Sequence, residues 1–195
     1  MTEPNRNAIL DAACKNAWES GQSFTLRNHL YRGLWWSAWA LFASWTPPPL
    51  HGWRRFLLRM FGARLAPTSR VYGSAHIWDP RNLEMGAYSC IGPRVICYSM
   101  DRISLGQYSL VSQGAHLCSG SHDITQPNMQ LIARPIVIGD RAWIAADAFI
   151  GPGVTVGEGA VLGARACTFR DLDPLTVYVG NPARGIKVRG IVLAP

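Results

Sequence analysis

Apolar residues recur along this chain every six positions, in blocks of three. The blocks are Leu65, Val71, Ile77; Met85, Ile91, Cys97; Leu105, Val111, Leu117; Ile138, Ile144, Ile150; and Val156, Leu162, Thr168. Two positions before most of them stands a small or β-branched residue, such as Ser69, Ala75, Val95 or Ala148. Glycine follows many of them directly, as at Gly86, Gly92, Gly106 and Gly139. A period of six fits neither the 3.6 of a helix nor the alternation of a lone strand, but it fits short strands joined by tight turns in a coiled solenoid. Each triplet predicts one triangular coil. The aliphatic residue fills the interior, the small residue sits where less space is left, and glycine is expected to supply turn dihedrals that a Cβ would penalise. A chance alternation of Gly and Val in a β-sandwich would not keep two columns in phase over five blocks. The expected fold is mainly β, with five triangular coils.

The register slips three times. Two residues are extra between Ile77 and Met85, two between Cys97 and Leu105, and fifteen between Leu117 and Ile138. Solenoids accept insertions at their corners, where they become loops that carry function. The third insertion holds Gly120-Ser-His-Asp123, a polar motif with the chain's one histidine in that loop.

The hexads begin only at Leu65, so residues 1–62 are read as a helical N-terminal segment and 63–195 as the solenoid, with loop 118–137 and a C-terminal tail. From Gly33 to Trp53 no Asp, Glu, Lys or Arg occurs, and five of the eight tryptophans lie between Trp35 and Trp53. Indoles at this density are typical of a boundary between apolar and wet surroundings. Pro47-Pro48-Pro49 ends the apolar run after about 14 residues, or ~21 Å of helix, short of the ~30 Å of a bilayer core. A simple transmembrane span is disfavoured. After the prolines, Trp53, Phe56, Leu57, Met60 and Phe61 follow helical spacing, with Arg54, Arg55 and Arg59 largely elsewhere on the wheel. Two readings stay open: an amphipathic helix whose arginines meet lipid phosphates, and a cap on the open end of the solenoid.

The net charge is +7 over 195 residues, but from Ser20 to Trp78 seven arginines occur without one Asp or Glu. That segment should be drawn to something anionic. Its apolar content exceeds what a phosphate-tracking arm needs, so no nucleic-acid partner is expected. Cys14, Cys90, Cys97, Cys118 and Cys167 form an odd set without zinc-finger spacing, and no secretory leader is visible. Reduced thiols and a cytoplasmic protein, peripheral at the inner membrane face through residues 30–61, are the expectation.

Beyond the repeat, four stretches carry a resemblance: Gly120-Ser-His-Asp123, Pro135-Ile-Val-Ile-Gly-Asp-Arg-Ala-Trp-Ile144, Gly151-Pro-Gly-Val-Thr-Val-Gly157 and Val179-Gly-Asn-Pro-Ala-Arg184. From about Leu65 to Arg189 the sequence resembles the hexapeptide-repeat acyltransferases, in the branch of the maltose, galactoside, nodulation-factor and colanic-acid acetyltransferases. Leu57-Leu-Arg-Met-Phe-Gly-Ala63 looks most like the colanic-acid type. The resemblance implies a left-handed parallel β-helix, a homotrimer with active sites between subunits, and transfer of an acetyl group from acetyl-CoA to a hydroxyl of a sugar or lipid-linked glycan precursor.

It also implies roles for residues. His122 matches the catalytic histidine and would act as general base, a task suited to a side chain with pKa near 7. Asp123 could orient His122 or contact the acceptor, whereas Ser121 and Thr125 suit local turns. Gln113 stands where several relatives carry a sugar-contacting Asn, and Trp143 matches a tryptophan near the active site. Ala145, Ala146, Gly163 and Ala164 lie where the family threads the pantetheine arm, although small residues also suit turns. Arg170, Arg184 and Lys187 match basic positions that meet coenzyme A phosphates. No metal is expected. A rival on the same architecture, a zinc enzyme of the γ-carbonic-anhydrase kind, would enlist His76, His116 and His122, but the motifs belong to the transferases. A noncatalytic trimeric scaffold is the other alternative.

Overall fold

The computed structural model describes residues 24–190, so Cys14 lies outside the described residues. Two helices, α1 (Leu26–Phe42) and α2 (His51–Met60), precede a parallel β-solenoid. Its first coil is β1 (Arg64–Leu65), β2 (Arg70–Val71) and β3 (His76–Ile77); its second is β4 (Leu83–Met85), β5 (Cys90–Ile91) and β6 (Ile96–Tyr98). The third is β7 (Ile103–Leu105), β8 (Leu110–Val111) and β9 (His116–Cys118), after which β10 (Gly120–His122) and β11 (Leu131–Ala133) form a separate antiparallel pair. Coil four is β12 (Ile136–Ile138), β13 (Trp143–Ile144) and β14 (Phe149–Ile150); coil five is β15 (Thr155–Val156), β16 (Val161–Leu162) and β17 (Cys167–Thr168). β18 (Thr176–Val179) and β19 (Arg184–Val188) close the chain.

Equivalent strands stack into three faces: β1-β4-β7-β12-β15, then β2-β5-β8-β13-β16-β18-β19, then β3-β6-β9-β14-β17. The fold is the left-handed parallel β-helix. All the hexad residues are buried, and so is the column two positions before them. On the first face three positions of that column are large, Leu83, Ile103 and Ile136, each fully buried and each following an insertion that alters the corner. Beyond the five expected coils the tail forms part of a sixth turn. Leu172 bridges to Val156, β18 pairs with β16, and Ala183 N–H donates to Cys167 O.

The structure corrects one expectation. Gly86, Gly92 and Gly139, placed directly after a core residue, are there for space and not for dihedrals. A Cβ on them would stand 2.8 Å from Gln107 N, Val111 O and Glu158 N of the next coil. The left-handed dihedral falls two residues later, on Tyr88 (φ 58°), Arg94 (55°) and Arg141 (56°).

Every parallel coil donates N–H groups to the carbonyls of the next: Tyr72 to Ile91, Gly92 to Val111, Ser112 to Ile144, Ala145 to Leu162. The first coil has no predecessor, so its carbonyls face an open edge, which a solenoid must cap. Side-chain nitrogens of the two helices do this. Arg59 Nε donates to Leu65 O (3.1 Å), Arg55 Nη1 to Ser69 O (2.7 Å) and Arg54 Nε to Val71 O (2.6 Å). Trp39 Nε1 donates to Gly73 O (3.1 Å) and Trp35 Nε1 to Ile77 O (2.8 Å). Arg54 is fully buried and also donates to Pro47 O (3.0 Å) and Pro48 O (2.6 Å). The arginines of α2 are therefore caps and are not turned to lipid phosphates. Its apolar positions divide: Leu57 enters the core, whereas Trp53, Phe56 and Met60 face outward.

Candidate active site

The fifteen-residue insertion is an antiparallel hairpin at the corner between the third and first faces. Gly120 pairs with Ala133, Ser121 with Ile132 and His122 with Leu131. At its tip Asp123 N–H donates to Gln130 O (2.7 Å), and Asp123 Oδ1 accepts from Thr125 N–H (3.0 Å) and Thr125 Oγ1 (2.6 Å). Those bonds, the Thr125 hydroxyl first, hold the Asp123 carboxyl below the usual carboxylate range. Thr125 is thus the turn former expected of it, and Asp123 does not orient His122.

His122 is exposed, and its Nδ1 lies 2.7 Å from Met129 O. A carbonyl can only accept, so Nδ1 carries the proton. In the neutral ring that leaves the Nε2 lone pair free, the tautomer a general base requires. The orienting group is a backbone atom, so no residue type in the sequence marks it.

The base of the hairpin rests on a small core of its own. Trp78, Met100 and Ala133 are buried there, with Phe24, Tyr98 and Leu131 against them. Ser119 Oγ donates to Tyr98 O (2.7 Å) and accepts from Asp101 N–H (2.9 Å). Trp78 meets Tyr98 edge to face, the ring centroids 5.4 Å apart, and the Arg32 guanidinium lies 4.2 Å from the Trp78 ring centroid. The hairpin is thereby tied to corners of the first two coils and to α1. The short apolar run Leu131-Ile132-Ala133, between Gln130 and Arg134, is the sequence signal that could have revealed the second strand.

The other expected site residues fall into separate groups. Gln113, Ala145, Ala146, Gly163 and Ala164 occupy the corner between the second and third faces, with Trp143 nearby; Trp143 Nε1 donates to Ser112 Oγ (2.9 Å). Gly163 is small for a reason within the chain, because a Cβ there would stand 2.9 Å from Val179 Cγ1 and 3.0 Å from Tyr178 O. Lys187 joins Trp143 in lining a cavity of about 380 Å³ on the second face. Arg170 and Arg184 line a different groove of about 230 Å³, beside Phe169 and Pro182. Two guanidinium groups at one groove suit a phosphate. One chain therefore does not bring His122 to the corner that holds Ala145 and Gly163. His76 and His116 lie outward on the third face with the second coil between them, and burial lowers the pKa of both. Among the described residues no three His, Cys, Asp or Glu side chains form a metal-binding group.

The solenoid is built of hexapeptide coils, interrupted by the corner hairpin that carries His122. The comparisons agree: residues 135–168 match the family described as bacterial transferase hexapeptide (six repeats). The protein provisionally named colanic acid biosynthesis acetyltransferase WcaF, of Escherichia coli K12, is 42% identical over 156 residues, covering 80% of this chain and 86% of its own. The chain belongs to the hexapeptide-repeat acetyltransferase family. Among solved structures, a maltose O-acetyltransferase from Clostridium difficile 630 superposes with a TM-score of 0.75 at 23% identity, over 92% of this chain and 100% of that one. A hexapeptide-repeat acetyltransferase from Vibrio cholerae, complexed with acetyl coenzyme A, does so with a TM-score of 0.73 at 22% identity, over 91% and 100%. These two establish the fold.

Proposed function

We propose that the protein transfers the acetyl group of acetyl-CoA to a hydroxyl of a sugar, within a polysaccharide precursor carried on a lipid, with His122 as general base. The observation that carries this reading is the bond from His122 Nδ1–H to Met129 O, which leaves Nε2 free on an exposed hairpin. Nε2 takes the proton of the acceptor hydroxyl as its oxygen attacks the thioester carbonyl. The tetrahedral intermediate collapses to the O-acetyl ester, and the departing coenzyme A sulfur receives the proton back from the imidazolium. The thioester supplies its own leaving group, so no enzyme nucleophile is needed.

A homotrimer completes the site in this reading. His122 stands at one corner of the prism, and the small residues Ala145 and Gly163 stand at another. A neighbouring subunit can present its second corner, with Gln113 and Trp143, to the hairpin of the first. Arg170, Arg184 and Lys187 would hold the coenzyme A phosphates from two sides of that groove. The acceptor's saccharide nature draws on the 42% identical relative, whose name places it in colanic acid biosynthesis.

The test is product analysis. The purified protein is incubated with acetyl-CoA and a panel of monosaccharides, glycosides and lipid-linked saccharides, and products are read by mass spectrometry and NMR. An O-acetyl ester on a sugar, formed with stoichiometric thiol release, is the expected result. Acetylation only of amines, or no thiol release with any acceptor, contradicts it.

A further inference from the structure

The helices that cap the solenoid have a second face. Along α1, Leu26, Leu30, Leu34 and Leu41 fall at i, i+4, i+8 and i+15, one stripe opposite the buried Arg32, Trp35 and Trp39, and they are 64–71% exposed. Trp53 and Phe56 of α2 continue it. Between the helices a wholly apolar groove of about 390 Å³ is lined by Phe42, Trp45, Leu50 and Trp53, with Thr46 at its edge. Isolated exposed leucines need no explanation, whereas a contiguous patch of this kind marks an interaction surface.

We propose that this face docks on an anionic phospholipid bilayer, entered by its apolar side chains while its arginines remain engaged as caps. Two observations select that occupant. The first is that the two indole N–H groups lining the groove are already satisfied inside the chain: Trp45 Nε1 donates to Leu41 O (2.8 Å) and Trp53 Nε1 to Phe42 O (2.6 Å). Their rings enter an apolar phase without stranding a donor. The second is charge. Arg27, Arg59 and Arg70 are exposed and make no ion pair with a carboxylate among the described residues, and no Asp or Glu occurs between Ser20 and Trp78. A second copy of the chain seated face to face would add like charge to like charge. Anionic headgroups neutralise it.

The inference rests on the membrane-proximal acceptor of the proposed function only for its purpose, not for its geometry. The helices cover the first coil and His122 leaves the third, two strand spacings of about 4.8 Å along the axis, so His122 stands roughly 10 Å above the first coil. Docked by its capped end, the enzyme reaches sugars close to the lipid anchor.

The experiment is flotation of the full chain with vesicles of phosphatidylglycerol and phosphatidylcholine, against phosphatidylcholine alone. The wild-type protein is compared with the double variant Leu34→Gln/Leu41→Gln and with Leu30→Gln/Phe56→Gln, all at exposed positions away from the hairpin. Wild type floats with the anionic vesicles, and each double variant partitions at least about tenfold less. Thiol release with a soluble sugar acceptor stays at the wild-type level in both variants. The proposal is overturned by absence of flotation, by flotation insensitive to both variants, or by wild-type pairing end to end in solution without binding vesicles. Loss of transfer to every soluble sugar would instead strike the proposed chemistry and leave the docking result standing.

Discussion

Arg54 Nε donates to Val71 O at 2.6 Å, and through that bond a buried arginine with no carboxylate partner takes the place of a missing coil. In every later coil the equivalent carbonyl receives a backbone N–H from the coil before: Ile91 from Tyr72, Val111 from Gly92. The guanidinium fork spans several acceptors at once, reaching Thr46 Oγ1 (2.7 Å), Pro47 O (3.0 Å) and Pro48 O (2.6 Å) as well. Its Nη2 and Val71 O both lie 3.0 Å from His51 Nδ1, and burial lowers the His51 pKa.

Arg54→Met is therefore expected to strand several buried carbonyls and to cost about 3 kcal/mol or more of unfolding free energy, measured by chemical denaturation. Arg54→Lys, which offers a point charge in place of a planar fork, should recover only part of that. Full recovery by lysine would contradict the multi-acceptor role.

The hairpin's footing gives a second prediction. Gly120 packs against Met100 Sδ and the Tyr98 ring, where no Cβ fits, and Met100 is only 1% exposed. Gly120→Ala should push the strand carrying His122 outward, at an overpacking cost of about 1–3 kcal/mol. kcat should fall while the affinity for acetyl-CoA, measured calorimetrically, is unchanged. An equal loss of both would mean that the hairpin does not act as a separately supported unit.

Acidification gives a third. Burial lowers the pKa of His76 and His116, so the folded state binds fewer protons than the unfolded chain. Their contribution to stability is complete above the ordinary value near 6.5 and is lost as pH falls through it toward the lowered folded pKa. Tm should be lower at pH 5 than at pH 7.5, and His116→Gln should flatten part of that fall. A protein more stable at pH 5 would refute it.

Within the solenoid, Ile144 is fully buried at the middle of the second face. Ile144→Ala should cost about 2–5 kcal/mol by thermal or chemical unfolding, since stacked coils leave little room to collapse around a cavity.

The repeat was legible because its chemistry is periodic: every coil must bury a side chain at the same three places, and Val71, Ile91, Val111 and Ile144 do so in register. Leu83, Ile103 and Ile136 escaped the small-residue column because insertions alter the corners before them. The sixth turn escaped because the spacing slips on either side of one regular step: Leu172 comes four residues after Thr168, and Ala183 five after Tyr178. The direction of Arg54, Arg55 and Arg59 was not legible at all. A charge beside an apolar stripe reads as solvent-facing, and only the stranded carbonyls of the first coil explain why these point inward. At the candidate site the motif exposed His122, while Met129, which orients it, contributes only a carbonyl shared by every residue type.

The most direct test of the account is the steady-state rate of thiol release from acetyl-CoA by His122→Ala, measured at saturating sugar acceptor alongside wild type. The variant's kcat should be lower by about 10²–10⁴-fold, with acetyl-CoA affinity and oligomeric state unchanged. A His122→Ala protein that turns over at the wild-type rate would contradict it.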